Sequence, residues 1–222
     1  MQRFDTPAAV SVVLDVPAGH IRLIAADRAD TTVEIRPADA SRARDVRAAE
    51  ETGVAFADGV LRIGVPSGPR ILGASGAVEV TVQLPAGSRV EAKAAAAELR
   101  GVGRLGDVAF EGAQGTVKLD ETAGARLAVQ DGDITVGRLG GPAEITTAKG
   151  GIRIAEAVAG EVVLRTGSGD ITVGAARGVS AVLDAGTGHG RIRNSLGNSG
   201  GAAAGLRIRA TTSYGDITAA GR

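Results

Sequence analysis

The sequence predicts an all-β fold: a parallel, β-helix-like solenoid with rungs of about 17–25 residues, preceded by an irregular β-rich region with one short helix. Three observations lead there. GDITVG stands at residues 132–137 and again at 169–174, and GDITA follows at 215–219. An apolar anchor returns at Leu99, Val117, Ile134, Ile152, Ile171, Ile192 and Ile217, at intervals of 18, 17, 18, 19, 21 and 25 residues. Finally, the 222 residues include 34 glycines while aromatics make up only 2%. Such a core must be a thin, regular stack of Val, Ile, Leu and Ala, with turns at short intervals.

The first 87 residues are less regular. AVSVVLDVP, HIRLIAA, TVEIRP, GVAFA, VLRIGVP and AVEVTVQLP alternate apolar and polar residues, the period of a half-buried strand. SRARDVRAAEET, 41–52, has helical spacing and stops at Gly53. Asp58-Gly59 inside FADGVLRI signals a tight hairpin. PSGPRILGASG, 66–76, has the composition of a flexible loop. A division near Gly87 separates this region, 1–87, from the repeats, 88–222, within one continuous body.

From residue 88 each period holds two strands. The anchor lies in one (ELRG, TVKL, DITV, GIRI, DITV, RIRN, DITA). The other precedes it as VEAKA, DVAFE, ARLAV, AEITT, EVVLR, SAVLD or LRIRA, with a small or polar corner such as QDG, TGSG or TSYG between them. No single period can bury its own apolar face, so the copies must stack, each strand beside its counterpart about 4.8 Å away. In GDITV, Gly turns the corner, Asp and Thr face out, and Ile and Val face in. Stacked in chain order, Ile171 lies between Ile152 and Ile192.

Taken together, RFDTPAAVSVVLDVPAGHIRLIAADRADTTVEIRPA, the join VEVTVQLPAGSRVEAKAAAAELRGVG and the SGDITVG rungs resemble the bacterial putative-adhesin family of β-strand-repeat domains of unknown function. The resemblance spans nearly the whole chain. It implies a β-strand-repeat fold and, for members with an adhesive role, a place at the cell surface; it supplies no catalytic residues.

Charge and composition narrow the function further. Lys plus Arg and Asp plus Glu both number 25, so the basic excess of a nucleic-acid or anionic-membrane binder is missing. Without cysteine there is no disulfide or thiolate chemistry, which fits a reducing compartment. The opening MQRFDTPAAVSVVLDVPAGH alternates and carries Asp5 and Pro7, unlike a signal peptide, and no run of about 18 apolar residues could span a bilayer. The expected location is the cytoplasm.

No cofactor or metal is expected. GVGRLG, 101–106, matches a dinucleotide pattern, with Asp120 downstream, but the following DVAFEGAQGTVKLD reads as strands where that site needs a helix. The period is twice that of calcium-binding nonapeptides, and His20 and His189 stand apart from any ligand motif. Two outward columns flank the anchors: Glu98, Thr116, Asp133, Gly151, Asp170, Arg191, Asp216, and Arg100, Lys118, Thr135, Arg153, Thr172, Arg193, Thr218. They read as a solvated face carrying candidate interaction residues Asp133, Asp170, Asp216, Arg153 and Arg193. The competing reading is a polysaccharide-cleaving groove, with Asp133 and Asp170 two rungs, about 9.6 Å, apart as its carboxylates. The expected function is a non-catalytic scaffold or binding module for an unknown partner, the alternatives being a carbohydrate-active hydrolase or lyase and a surface adhesin. GDITA, close to the chain's end, predicts an uncovered rung through which two copies join, with Tyr214 anchoring the contact. The alternative cap is the loop at 194–205.

Overall fold

The computed structural model describes residues 1–64 and 76–221; the loop expected at 66–76 lies outside the described residues except for Gly76. In chain order the elements are β1 (Gln2–Asp5), β2 (Ser11–Ala26), β3 (Asp30–Pro37), α1 (Ala43–Glu51), β4 (Gly53–Ala57), β5 (Val60–Gly64) and β6 (Val78–Pro85). There follow β7 (Arg89–Gln114), β8 (Val117–Asp131), β9 (Ile134–Leu139), β10 (Ala143–Lys149), β11 (Ile152–Ala157), β12 (Gly160–Ser168) and β13 (Ile171–Ala175). The last are β14 (Ala181–His189), β15 (Ile192–Ser195), β16 (Leu206–Tyr214) and β17 (Ile217–Gly221), with a single 3₁₀ turn at Gly201–Ala203. The strands form one continuous sheet that winds as a parallel β-solenoid.

The N-terminal region both starts the solenoid and closes it. β2 pairs in parallel with β7 from Ser11↔Arg89 to Ile24↔Val102, and on its other side with β5 and β6. Beyond that turn the pairing becomes antiparallel: β3 with β1 and β6, and β4 with β5. The β4–β5 hairpin turns on Asp58 (φ +50°) and Gly59 (φ +74°), where two successive positive φ values match the strands' twist. Phe4 of β1 packs on Phe56 of β4 with ring centroids 5.3 Å apart. The helix packs beside β3 and β6 with Ala48 buried, and its buried Asp45 accepts a hydrogen bond from the Ala77 N–H (3.0 Å). Gly87, where the division was placed, turns with φ +79° between β6 and β7, two strands that both pair with β2.

Two ladders run along the solenoid. In one, Val80, Ile21, Leu99, Val117, Ile134, Ile152, Ile171, Ile217 and Ile192 stand in register. In the other, Phe110, Leu127, Ile145, Leu164, Ala210 and Ala185 do. Every member but those on the last rung is buried. Each buried aliphatic side chain contributes about 1.5–3 kcal/mol over its exposed state, which offsets the ordering of these short strands.

The order of the last two rungs differs from the chain-order expectation. β16 lies between β12 and β14, and β17 between β13 and β15. Ile171 is therefore flanked by Ile152 and Ile217, not Ile192, and the rung carrying GDITA is covered on both sides. The rung expected to be uncovered therefore has no free pairing edge, and the outer rung is 181–195. Apolar content explains the exchange. Leu206, Ile208, Ala210, Ile217 and Ala219 are all buried, whereas the outer rung places Asn194 in register with Val136, Ile154, Val173 and Ala219. The connection at 196–205 can extend about 33 Å, enough to carry the chain back inside. It covers the start of β14, where the Ala181 N–H donates to the Gly197 carbonyl (3.0 Å) and the Gly200 N–H to Ser180 Oγ (2.8 Å), and it packs Leu196, half-buried, against the core.

Candidate functional site

The repeated GD dipeptides stack at one corner of the solenoid. Gly132 and Gly169 turn there with φ +155° and +150°, and a Cβ on either would run into the carbonyl oxygen of the glycine one rung before, Gly115 or Gly150. Only glycine satisfies both demands. A threonine three residues earlier secures the same joint. Thr147, Thr166, Thr212 and Thr187 stand in register, and their hydroxyls donate to the carbonyls of Gly132 (3.2 Å), Gly150 (2.9 Å), Gly169 (3.0 Å) and Gly215 (2.9 Å).

The aspartates hold the next rung. Asp133 Oδ1 accepts from the Gly151 N–H at 2.7 Å, Asp170 Oδ1 from the Asp216 N–H at 2.7 Å, and Asp216 Oδ1 from the Arg191 N–H at 2.9 Å. These are charge-assisted bonds to backbone donors at the turn, where the ladder would otherwise leave an N–H to solvent. Asp216 also meets the Arg191 guanidinium at 3.3 Å and that of Arg193 at 3.7 Å. The Arg191 N–H, followed by the Arg191 and Arg193 charges, lowers its pKa below 3.8.

Of the predicted interaction residues, the structure brings Asp170, Asp216 and Arg193 together at the outer end of this corner. Tyr214 stands beside them, 59% exposed, its ring stacked on His189 with centroids 4.8 Å apart and planes 8° from parallel. Asp133 lies two rungs inward, beyond Gly151, and Arg153 is exposed on the outer sheet face between Thr135 and Thr172. The sequence reading missed the threonine column and the His189–Tyr214 stack. Thr-x-x-Gly recurs at 147–150, 166–169, 187–190 and 212–215 and was the available signal.

The two carboxylates of the glycosidase reading lie apart from two grooves among the described residues. Shallow grooves of about 770 and 750 Å³ lie along the other strand of each rung. The first is bordered by Asp15, Lys93, Glu111 and Gln130, and the second by Arg126, Glu144 and Arg165. Neither contains Asp133 or Asp170. In the second groove Glu144 lies 3.9 Å from Arg126 and 3.5 Å from Arg165, an exposed charge ladder worth at most about 1 kcal/mol per pair. GVGRLG runs within β7, bending at Gly103 (φ +79°), whose N–H bonds Asp120 Oδ2 (3.3 Å); Asp120 in turn holds Arg100 at 2.7 Å. His20 pairs with Glu98 at 3.2 Å.

With glycine corners and stacked parallel rungs in place, the comparison with known proteins is decisive for the family. The model of the Toastrack DUF4097 family matches residues 10–222. The chain belongs to the Toastrack DUF4097 family. Among solved structures, the chain is similar to a putative adhesin from Bacteroides fragilis, with 14% identity, TM-score 0.59, and 98% of this chain and 95% of that one covered. It is also similar to a putative adhesin from Parabacteroides distasonis, with 15% identity, TM-score 0.49, and coverage of 98% and 95%. At these identities the Bacteroides fragilis structure speaks for the Toastrack fold alone. No curated protein matches the chain. The Toastrack framework accounts for the corner glycines, threonines and aspartates as joints between rungs.

Proposed function

We propose that this Toastrack chain is a non-catalytic β-solenoid that serves as a scaffold or binding module for a protein partner. The observation that carries this reading is the engagement of Asp133, Asp170 and Asp216: each carboxylate accepts a backbone N–H of the adjacent rung. A carboxylate that must leave its N–H to take up a proton or attack a sugar would open the corner it holds. The balanced charge, 25 of each sign, supports a partner other than nucleic acid or an anionic membrane. A cytoplasmic location belongs to the same proposal, and recovery in the envelope fraction would refute it.

The deciding experiment incubates the protein with a panel of acidic and neutral polysaccharides and measures new reducing ends or unsaturated products. The expected result is no release above buffer. Release that is lost in Asp170→Asn, with the variant still folded, would replace this reading with the carbohydrate-active one. Adhesion at the cell surface is the second reading, favoured by the name of the Bacteroides fragilis neighbour. Labelling of intact cells with an impermeant reagent separates the two, because only an exported protein would be labelled.

A further inference from the structure

The two ends of the solenoid are unlike. At the N-terminal end the pairing turns antiparallel, Phe4 closes on Phe56, and α1 lies beside β3 and β6. At the other end, among the described residues, β14 pairs only with β16 and β15 only with β17. Past Ala181 the outer edge of β14 carries unpaired backbone groups, and the ladders end uncovered: Ile192 is 45% exposed, and Leu183 and Ala185 are half-buried where the residues one rung inward, Ile208 and Ala210, are buried. The edge has little of the usual protection: AVLDAGTGH contains neither Lys nor Pro, and Asp184 is its one charged residue.

The sequence of that edge fits its own reverse. Inward positions are Ala181, Leu183, Ala185 and Thr187; outward positions are Val182, Asp184, Gly186 and Gly188. In an antiparallel pairing centred on Ala185, Leu183 faces Thr187, Asp184 faces Gly186, Val182 faces Gly188 and Ala181 faces His189, so at each of these pairs a larger side chain meets a smaller one. Charge is compatible too. The outer rung carries Asp184, Arg191 and Arg193, and both arginines are paired with Asp216 beneath them, which leaves little unpaired charge at the docking edge. A two-fold arrangement satisfies both β14 edges at once and closes on itself, so the contact does not propagate.

We propose that the outer rung, residues 181–195, is a homodimerisation edge on which a second copy of this chain docks through antiparallel β14–β14 pairing centred on Ala185. This goes beyond the scaffold reading and does not depend on it.

Cysteine scanning tests the register directly, because the chain has no cysteine of its own. Directly opposed residues of an antiparallel pair have Cα atoms about 4.5–5.5 Å apart, within the range of a disulfide. Under mild oxidation Ala185→Cys should convert to a covalent dimer, while Val182→Cys, opposite Gly188, should stay at least tenfold less cross-linked. Sedimentation equilibrium of the wild type at micromolar concentration should give twice the chain mass, and Ala185→Lys, which sets two ammonium groups face to face, should give the monomer mass. A monomeric wild type, equal cross-linking at 182 and 185, or open-ended polymers would each overturn the proposal. The cysteine pair keeps the test valid should Ala185→Lys fail to fold.

Discussion

The exchange of the last two rungs makes a sharp prediction about three isoleucines of one ladder. Ile171→Ala removes three carbons from a side chain with 0% exposure. At about 0.8 kcal/mol per buried carbon the transfer loss is roughly 2.4 kcal/mol, and the cavity between Ile152 and Ile217 raises the total to about 2–5 kcal/mol. Ile217 is equally buried between Ile171 and Ile192, so Ile217→Ala should cost the same. Ile192 is 45% exposed on the outer rung, and Ile192→Ala should cost about 1 kcal/mol or less. Urea denaturation of the three variants, at submicromolar concentration to keep the chains apart, reads these differences as shifts of midpoint at constant slope. In a thermal scan the two inner variants should melt about 4–20 °C lower. If Ile192→Ala proved as damaging as Ile171→Ala while Ile217→Ala was nearly silent, the rungs would stack in chain order and the proposed docking edge would disappear with them.

Other perturbations probe the corner. Gly169→Ala forces a side chain into φ +150° and against the Gly150 carbonyl, and should cost roughly 2–6 kcal/mol, whereas Gly197→Ala, with open space around it, should stay within about 0.5 kcal/mol in the same assay. Asp170→Ala removes the acceptor of the Asp216 N–H and should cost about 0.5–1.5 kcal/mol; Asp170→Asn, which keeps an acceptor oxygen, should cost less. Asp216 has a folded pKa below its ordinary 3.8, chiefly because it accepts the Arg191 N–H. A depressed pKa adds stability that is present above the unfolded value and is lost as pH falls through the folded one. Acid titration of stability should therefore show a smaller decline below pH 3.8 in Asp216→Asn than in the wild type.

The architecture was legible because it is written locally. Alternation, the spacing of the anchors and the corner glycines each sit within one rung, and each predicts the same stacked fold. The same locality explains the Asp58-Gly59 hairpin and the helix, which ends at Glu51 once the Thr52 hydroxyl bonds the Ala48 carbonyl (2.6 Å). What the aspartates do could not be read this way. Their partners lie on other rungs, 18 residues away for Asp133 and Gly151, 46 for Asp170 and Asp216, and 25 for Asp216 and Arg191. In sequence they form a row of outward acids, which fits a charged face and a catalytic groove equally well.

The order of the last rungs was hidden for a related reason: inward alternation holds whichever of Ile192 and Ile217 comes first. Two features of the sequence favour the observed order. Asn194 occupies an inward position that the five preceding rungs in space fill with Leu119, Val136, Ile154, Val173 and Ala219, and the longest interval between anchors, 25 residues, falls between Ile192 and Ile217. The corner supplies a third. Had the rungs stacked in chain order, Asp170 would have bound the Arg191 N–H and Asp216, last in the column, would have had no N–H beyond it to accept. Placing the 206–221 rung inside lets each GD aspartate hold the rung that follows it in space: Asp133 to Gly151, Asp170 to Asp216, Asp216 to Arg191. The exchange does set Asp170 and Asp216 on adjacent rungs. Their repulsion is met by the Arg191 and Arg193 guanidinium groups, which the outer rung brings to within 3.3 and 3.7 Å of Asp216. The rung rich in buried aliphatics and carrying the acid thus goes inside, and the rung with Asn194 and two arginines closes the column.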